Sequence, residues 1–229
     1  MVQNAISAAL DAEAAALLAA ASRLTDADLA KASPCVPWTV GELACHVLIG
    51  ASRIGPALAE PERPGQPLIS TAEYYRHDER FSAATNADRI ETARTLARQL
   101  PGPGAIAAEL ERRCRESADL LAAAPEGRIV SSRHGDRMLL TDFARTRVVE
   151  LALHGLDLAQ GLSWTPWLTS EAADVLDDLL LPAGDSSQLC RDLACDRAGL
   201  IARLTGRAGL SSAEQQVLSD ASIPRLAFG

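Results

Sequence analysis

Residues 34–54 read PCVPWTVGELACHVLIGASRI, and the helical architecture is read outward from them. Pro34 and Pro37 fix a loop, because proline lacks the N–H that a helix interior needs. Thr39 and Glu42 then make a T-x-x-E capping box, in which each side chain satisfies an orphan backbone N–H of the other residue. Trp38 stands just ahead of the box, in the place of a hydrophobic staple. The helix opened here is predicted to run from Val40 to about Leu58, with Leu43, Val47, Gly50, Ala51 and Ile54 on its inner stripe. His46 follows Leu43 by three residues and precedes Ile54 by eight, so it shares the apolar stripe.

Upstream, residues 3–24 place Ile6, Leu10, Leu17, Leu18 and Leu24 among alanines, the best helix formers. A short helical turn is predicted over 26–33. Downstream, Pro61, Pro64, Gly65 and Pro67 make 60–70 a loop. Helices are predicted at 71–81, 85–100 and 105–124, the last two parted by Pro101-Gly102-Pro103-Gly104. Ile129 and Val130, followed by His134-Gly135-Asp136, predict a small β-hairpin or an extended loop over 128–138. Helical spacing returns from Thr141 to Gln160 through Phe143, Val148, Leu151 and Leu158, and Gly161 ends it. Further helices are predicted near 169–181, 186–205 and 211–219. The fold class is all-α: a four-helix bundle over residues 1–161, with 162–229 packed on it as a small helical extension.

The chain has 22 Lys+Arg against 30 Asp+Glu, a net charge of −8. No basic face is available to neutralise phosphates or an anionic bilayer, so nucleic acid and membrane are excluded as partners. The N-terminal segment carries Asp11 and Glu13 without a basic region, which reads as a helix and not a secretory signal. Cys35, Cys45, Cys114, Cys190 and Cys195 form no CxxC pair and are odd in number, as in a reduced, cytoplasmic protein. Cys35, ahead of the capped helix, is the thiol best placed to react. Nucleotide-binding glycine motifs are absent.

The chain has four histidines, His46, His77, His134 and His154. His154 lies four residues after Glu150, so the two side chains share one helical face. A carboxylate and an imidazole inside a bundle need partners, and a divalent cation satisfies both. The plainer alternatives are a solvated i,i+4 pair and, for His46, a hydrogen-bonded core histidine. His77 and His134 fall in polar loops and are expected to be exposed.

Three motifs together resemble the mycothiol-dependent maleylpyruvate isomerase family of the DinB-like superfamily. They are Pro-x-x-Trp-Thr leading into Glu42-Leu43 and His46, the Glu150-x-x-x-His154-x-x-Asp157-Leu158 helix, and Leu204-Thr205-Gly206-Arg207. The resemblance implies a DinB-type bundle whose divalent metal, zinc in the isomerase, is held by His46, Glu150 and His154. It also implies mycothiol as the low-molecular-weight thiol cosubstrate and a small electrophile as substrate, handled by isomerisation or S-transfer. No catalytic residue is assigned beyond the metal site. The isomerase has a distinct C-terminal domain that contributes to substrate binding, and residues 162–229 are short beside it, which leaves maleylpyruvate itself open.

Around this site, Asp157 is either an outer partner of His154 or a surface helix-end carboxylate. Arg147, Arg145 and Arg207 are candidates to grip a substrate carboxylate, since a guanidinium does so bidentately. Glu42 reads as the cap rather than a partner of His46. A metal-binding scaffold without turnover is the alternative function, and a monomer or homodimer the expected state.

Overall fold

The computed structural model of the chain describes residues 2–61, 65–76, 78, 82–181, 185–220, 223 and 226–228; Pro64 and His77 lie outside them. In chain order the elements are α1 (Val2–Ala21), α2 (Asp26–Leu29), α3 (Val40–Ala51), α4 (Ile54–Ala59), α5 (Thr71–Tyr74), α6 (Ala83–Gln99) and α7 (Pro103–Ala123). A hairpin of β1 (Ile129–Ser131) and β2 (Arg137–Leu139) precedes α8 (Leu140–Leu162). The chain then continues through α9 (Ser170–Leu180), α10 (Ser186–Asp192), α11 (Arg197–Leu204) and α12 (Ser212–Asp220).

Helices α1, α7, α3 and α8 close a ring in which each packs on the next, and this is the four-helix bundle. Helix α6 lies along α3, and α9 packs on α1 and α8. Leu43, Leu48, Leu121, Leu151, Leu176 and Leu200 are all within 1% of complete burial, so bundle and C-terminal helices share one core. Helix α8 is covered along nearly its whole length, which is why its apolar residues are not confined to one stripe. Gly155 permits the closest approach: a Cβ there would come within 3.0 Å of the Trp167 indole nitrogen.

Start signals in the sequence hold better than stop signals. Thr39 Oγ1 accepts the Glu42 N–H at 3.2 Å and Glu42 Oε2 accepts the Thr39 N–H at 3.0 Å, completing the capping box. The helix expected over Val40–Leu58 breaks after Ala51 and restarts as α4. Pro56 accounts for the break, because it has no N–H for the Ser52 carbonyl one turn earlier. The helix expected at 71–81 is the single turn of α5 within its described residues. The one expected over 186–205 divides at Ala194, whose φ of 48° is left-handed, and Asp196 caps the restart by accepting the Gly199 N–H at 2.7 Å. In the hairpin, Ile129, Val130 and Ser131 pair antiparallel with Leu139, Met138 and Arg137.

Helix α1 is long and apolar enough, by length and composition, to cross a membrane. Here it packs on α7, α8 and α9, and it carries the wholly buried Glu13. Glu13 Oε2 accepts from the Thr169 N–H at 3.1 Å and its hydroxyl at 2.7 Å, while Oε1 is buried without a partner. Burial raises the Glu13 pKa, outweighing the two Thr169 hydrogen bonds. A carboxyl with a raised folded pKa binds protons more tightly when folded, so its contribution to stability declines as pH rises from about 4.3. Glu13→Gln removes that titration. Urea melts at pH 4.5 and pH 7 are expected to show the variant gaining on wild type at the higher pH; parallel behaviour would contradict the burial argument.

Candidate functional site

His46 on α3 and the Glu150/His154 pair on α8 meet across the bundle. His46 Nε2 lies 3.9 Å from Glu150 Oε2, and His154 Nε2 lies 3.6 Å from the same oxygen. The imidazoles meet edge to face with centroids 5.0 Å apart. Each of the three residues offers one ligand atom, all within 4.8 Å of one another. Two donors bound to one zinc lie roughly 3.3–3.6 Å apart in tetrahedral geometry, so the separations fit a shared divalent ion with little adjustment.

The hydrogen bonding around the trio fits the same ion. Asp157 Oδ2 sits 2.9 Å from His154 Nδ1, and a carboxylate at that distance requires Nδ1 to carry the proton. In the neutral ring the Nε2 lone pair then faces the Glu150 carboxylate, and a cation or proton must lie between them. Burial, then the neighbouring His154 charge, holds His46 down to about 3, so its ring is neutral. Burial alone would raise Glu150, yet the Arg147 guanidinium and the two imidazoles hold it at about 2. Two imidazoles and one carboxylate make a three-ligand set of the kind that leaves a zinc position open.

Sequence reasoning did not foresee how the trio is braced. Trp38, expected to be a buried staple, is half-buried and stacks on His46 with ring centroids 4.5 Å apart at 29°. Tyr75 is buried at 2% exposure; its hydroxyl donates to the Thr146 carbonyl at 3.1 Å and lies 3.5 Å from Glu150 Oε1. The Tyr75 ring in turn meets Phe228 near the chain end, 5.0 Å between centroids. No helical periodicity links these residues to the histidines, so only the fold reveals them.

The other candidates sort themselves by position. Asp157 is buried, not a surface helix-end group. Arg147 is buried and lines the cavity beside the trio. Arg207 lines the same cavity, but its guanidinium is tied to Asp157 at 3.0 Å and to the Leu153 carbonyl at 3.3 Å. The left-handed Gly206 turns the chain so that Arg207 folds back on α8, and it braces Asp157 instead of reaching for a substrate. Arg145 faces Asp142 at 3.8 Å and lies outside the cavity lining. Glu42 is the α3 cap and also pairs with Arg94 at 3.2 Å. His134 is half-buried rather than exposed.

Cys35 corrects an expectation. Burial, and then the Asp157 charge, pushes its thiol up to about 12, which removes it as a ready nucleophile. With His154 and Asp157 it forms a second trio of donors within 4.8 Å. Because Asp157 already holds Arg207, that set fits a cation less well than the first. All five cysteines are free.

A family model described as the mycothiol maleylpyruvate isomerase N-terminal domain matches residues 10–159, well over half of the chain and all three residues of the first trio. The chain belongs to this family. No curated protein sequence matches it. Two solved structures share its fold, a mycothiol-dependent maleylpyruvate isomerase at 13% identity and a histidine-to-alanine mutant at 11%. Each has a TM-score of 0.58 and covers 91% of this chain and 90% of its own. The likeness to the isomerase therefore runs past α8 into the C-terminal helices.

Proposed function

We propose that this member of the isomerase family is a cytoplasmic, metal-dependent enzyme that uses mycothiol on a small electrophile, yielding either an isomer or an S-conjugate. The observation that carries the reading is the convergence of His46, Glu150 and His154 on one point of the cavity, with His154 locked by Asp157. Zinc is the ion that this donor set suits, and when bound it supplies the Lewis acidity that lets a thiol ionise near neutral pH.

The chain's own residues supply the rest. Asp157 keeps the His154 proton on Nδ1, and Arg207 keeps Asp157 in place. Trp38 limits the rotation of His46, and Tyr75 backs Glu150 from the bundle side. The cavity of about 700 Å³ is large enough for a thiol and an electrophile together. The thiolate sulfur adds to an electron-poor double bond, forming a C–S bond as the π pair moves onto the electron-withdrawing group and leaving a single bond free to rotate. Return of that pair expels the thiolate and gives the isomer, whereas uptake of a proton at carbon with the sulfur retained gives the conjugate.

Calorimetric titration of mycothiol into metal-loaded and metal-free protein, in two buffers of different ionisation enthalpy, tests the reading. Binding to the loaded form is expected to be tighter, to release a proton and to strengthen as pH rises toward the thiol pKa. Equal binding by the two forms, or no proton release, would replace the enzyme with a metal-bearing scaffold.

A further inference from the structure

Helix α10 ends in a turn that brings two cysteines together. The Cys195 N–H donates to the Cys190 carbonyl at 3.0 Å, and the Ala194 N–H donates to the Arg191 carbonyl at 3.2 Å. These are the paired bonds of a Schellman turn, in which the side chains of the first and last residues pack on one another. Apolar residues ordinarily fill that contact, and here thiols hold both places. Burial, then the neighbouring Cys195 thiol, raises the Cys190 pKa, and Asp177 and Asp196 add to it. The hydrogen bond between the two side chains works in the same direction, so the Cys190 thiol donates and the Cys195 sulfur accepts. The turn forms without the residue that suits it best. Ala194 takes a φ of 48°, where glycine is the usual occupant.

The remaining thiols are less able to react. Burial pushes Cys35 and Cys45 up to about 12 and Cys114 up to about 11, so little thiolate is present near neutral pH. Cys190 and Cys195 are half-buried, and Arg191, Asp192, Ala194 and Asp196 around them are exposed, so a small reagent can reach both sulfurs. Neither cysteine lines the cavity that holds the His46/Glu150/His154 trio.

We propose that Cys190 and Cys195 are a dithiol that closes to a disulfide by exchange with the disulfide of a low-molecular-weight thiol, locking the turn between α10 and α11. One protein thiolate attacks the small disulfide RSSR; its S–S bond breaks, one RS⁻ leaves, and a mixed disulfide forms. The second thiolate attacks the protein sulfur of that mixed disulfide and expels the other RS⁻. The pair loses two electrons, RSSR is reduced to two RSH, and the two thiol protons end on the departing thiols. The lock falls at the start of α11, where Asp196 caps the helix, and the far end of α11 leads to Arg207. The site stands apart from the metal and from the reaction proposed above.

The test treats reduced, folded, full-length protein with bis(2-hydroxyethyl) disulfide, quenches it in acid and counts thiols after unfolding. The count is expected to fall from five to three and to return to five with dithiothreitol. Trypsin cuts after Arg191, between the two cysteines, so the new bond should join peptides 148–191 and 192–197 until it is reduced. Cys190→Ser and Cys195→Ser are each expected to stop at the mixed disulfide, keeping the mass of one hydroxyethylthio group. Cys114→Ser should still lose two thiols. Wild-type protein unfolded in guanidinium, where no turn holds the sulfurs together, should resolve its mixed disulfide at least about tenfold more slowly than the folded protein. Retention of five thiols, a lasting adduct on the wild type, linkage through Cys35, Cys45 or Cys114, or equal closure in the folded and unfolded chains would overturn the proposal.

Discussion

Wild-type protein loaded with zinc and freed of excess metal is expected to retain about one ion per chain, whereas His154→Ala retains none. His154 is an inward-facing side chain whose Nε2 points at Glu150 and whose orientation is fixed from behind by Asp157. Removing it takes away one ligand of three and leaves Glu150 facing an empty space. The loss of affinity should exceed the roughly 10–100-fold that removal of an outer partner costs. His46→Ala should behave alike, since it supplies the ligand from the opposite helix. Glu150→Gln keeps the shape but loses the anion, and is expected to weaken binding without abolishing it. His134→Ala, in the hairpin turn, should keep full occupancy. Metal analysis after dialysis checks each variant, and full occupancy in His154→Ala would sink the ligand assignment.

The second large effect concerns Asp157, because one carboxylate does two jobs. It accepts from His154 Nδ1 at 2.9 Å and from Arg207 at 3.0 Å, with its side chain only 4% exposed. Asp157→Ala frees the His154 tautomer, and zinc affinity is expected to fall about 10–100-fold. It also strands the Arg207 charge, whose side chain is 10% exposed; breaking a buried pair from one side costs about 3–5 kcal/mol. Adding Arg207→Met to Asp157→Ala should recover much of the stability and none of the metal affinity. Chemical denaturation and zinc competition, measured on the same samples, separate the two roles. If the double variant regains zinc affinity, Asp157 acts on the fold alone.

What the sequence made legible was local. The Thr39/Glu42 capping box, the Glu150-x-x-x-His154 spacing and the hairpin over 128–138 each depend on residues close in the chain, where helix or turn geometry fixes the relation. His46 came within reach because its stripe is a helical one. Trp38 on His46 and Tyr75 behind Glu150 join residues from elements that meet only in the folded chain. Arg207 misled for the same reason: its motif was visible, but the turn that folds it onto Asp157 was not. Breaks at Ser52 and Ala194 were missed because apolar periodicity runs across them: Pro56 acts from one turn away, and no glycine marks the left-handed turn at Ala194.

Helix α8, covered on nearly every side, carries Arg147, Glu150, His154 and Asp157. Any change that shifts its register disturbs core packing and the placement of these four side chains at once, so the floor of the cavity is hard to alter without unfolding the protein. The rim is built differently. Arg53, Arg89 and Arg133 hang from a helix junction, a flanking helix and a hairpin turn, none of which belongs to the closed ring of four. Substitutions there reline the mouth of the cavity while the ring of four helices stays intact. A cavity built this way is open to change from its periphery inward, with its floor held by the same packing that holds the fold.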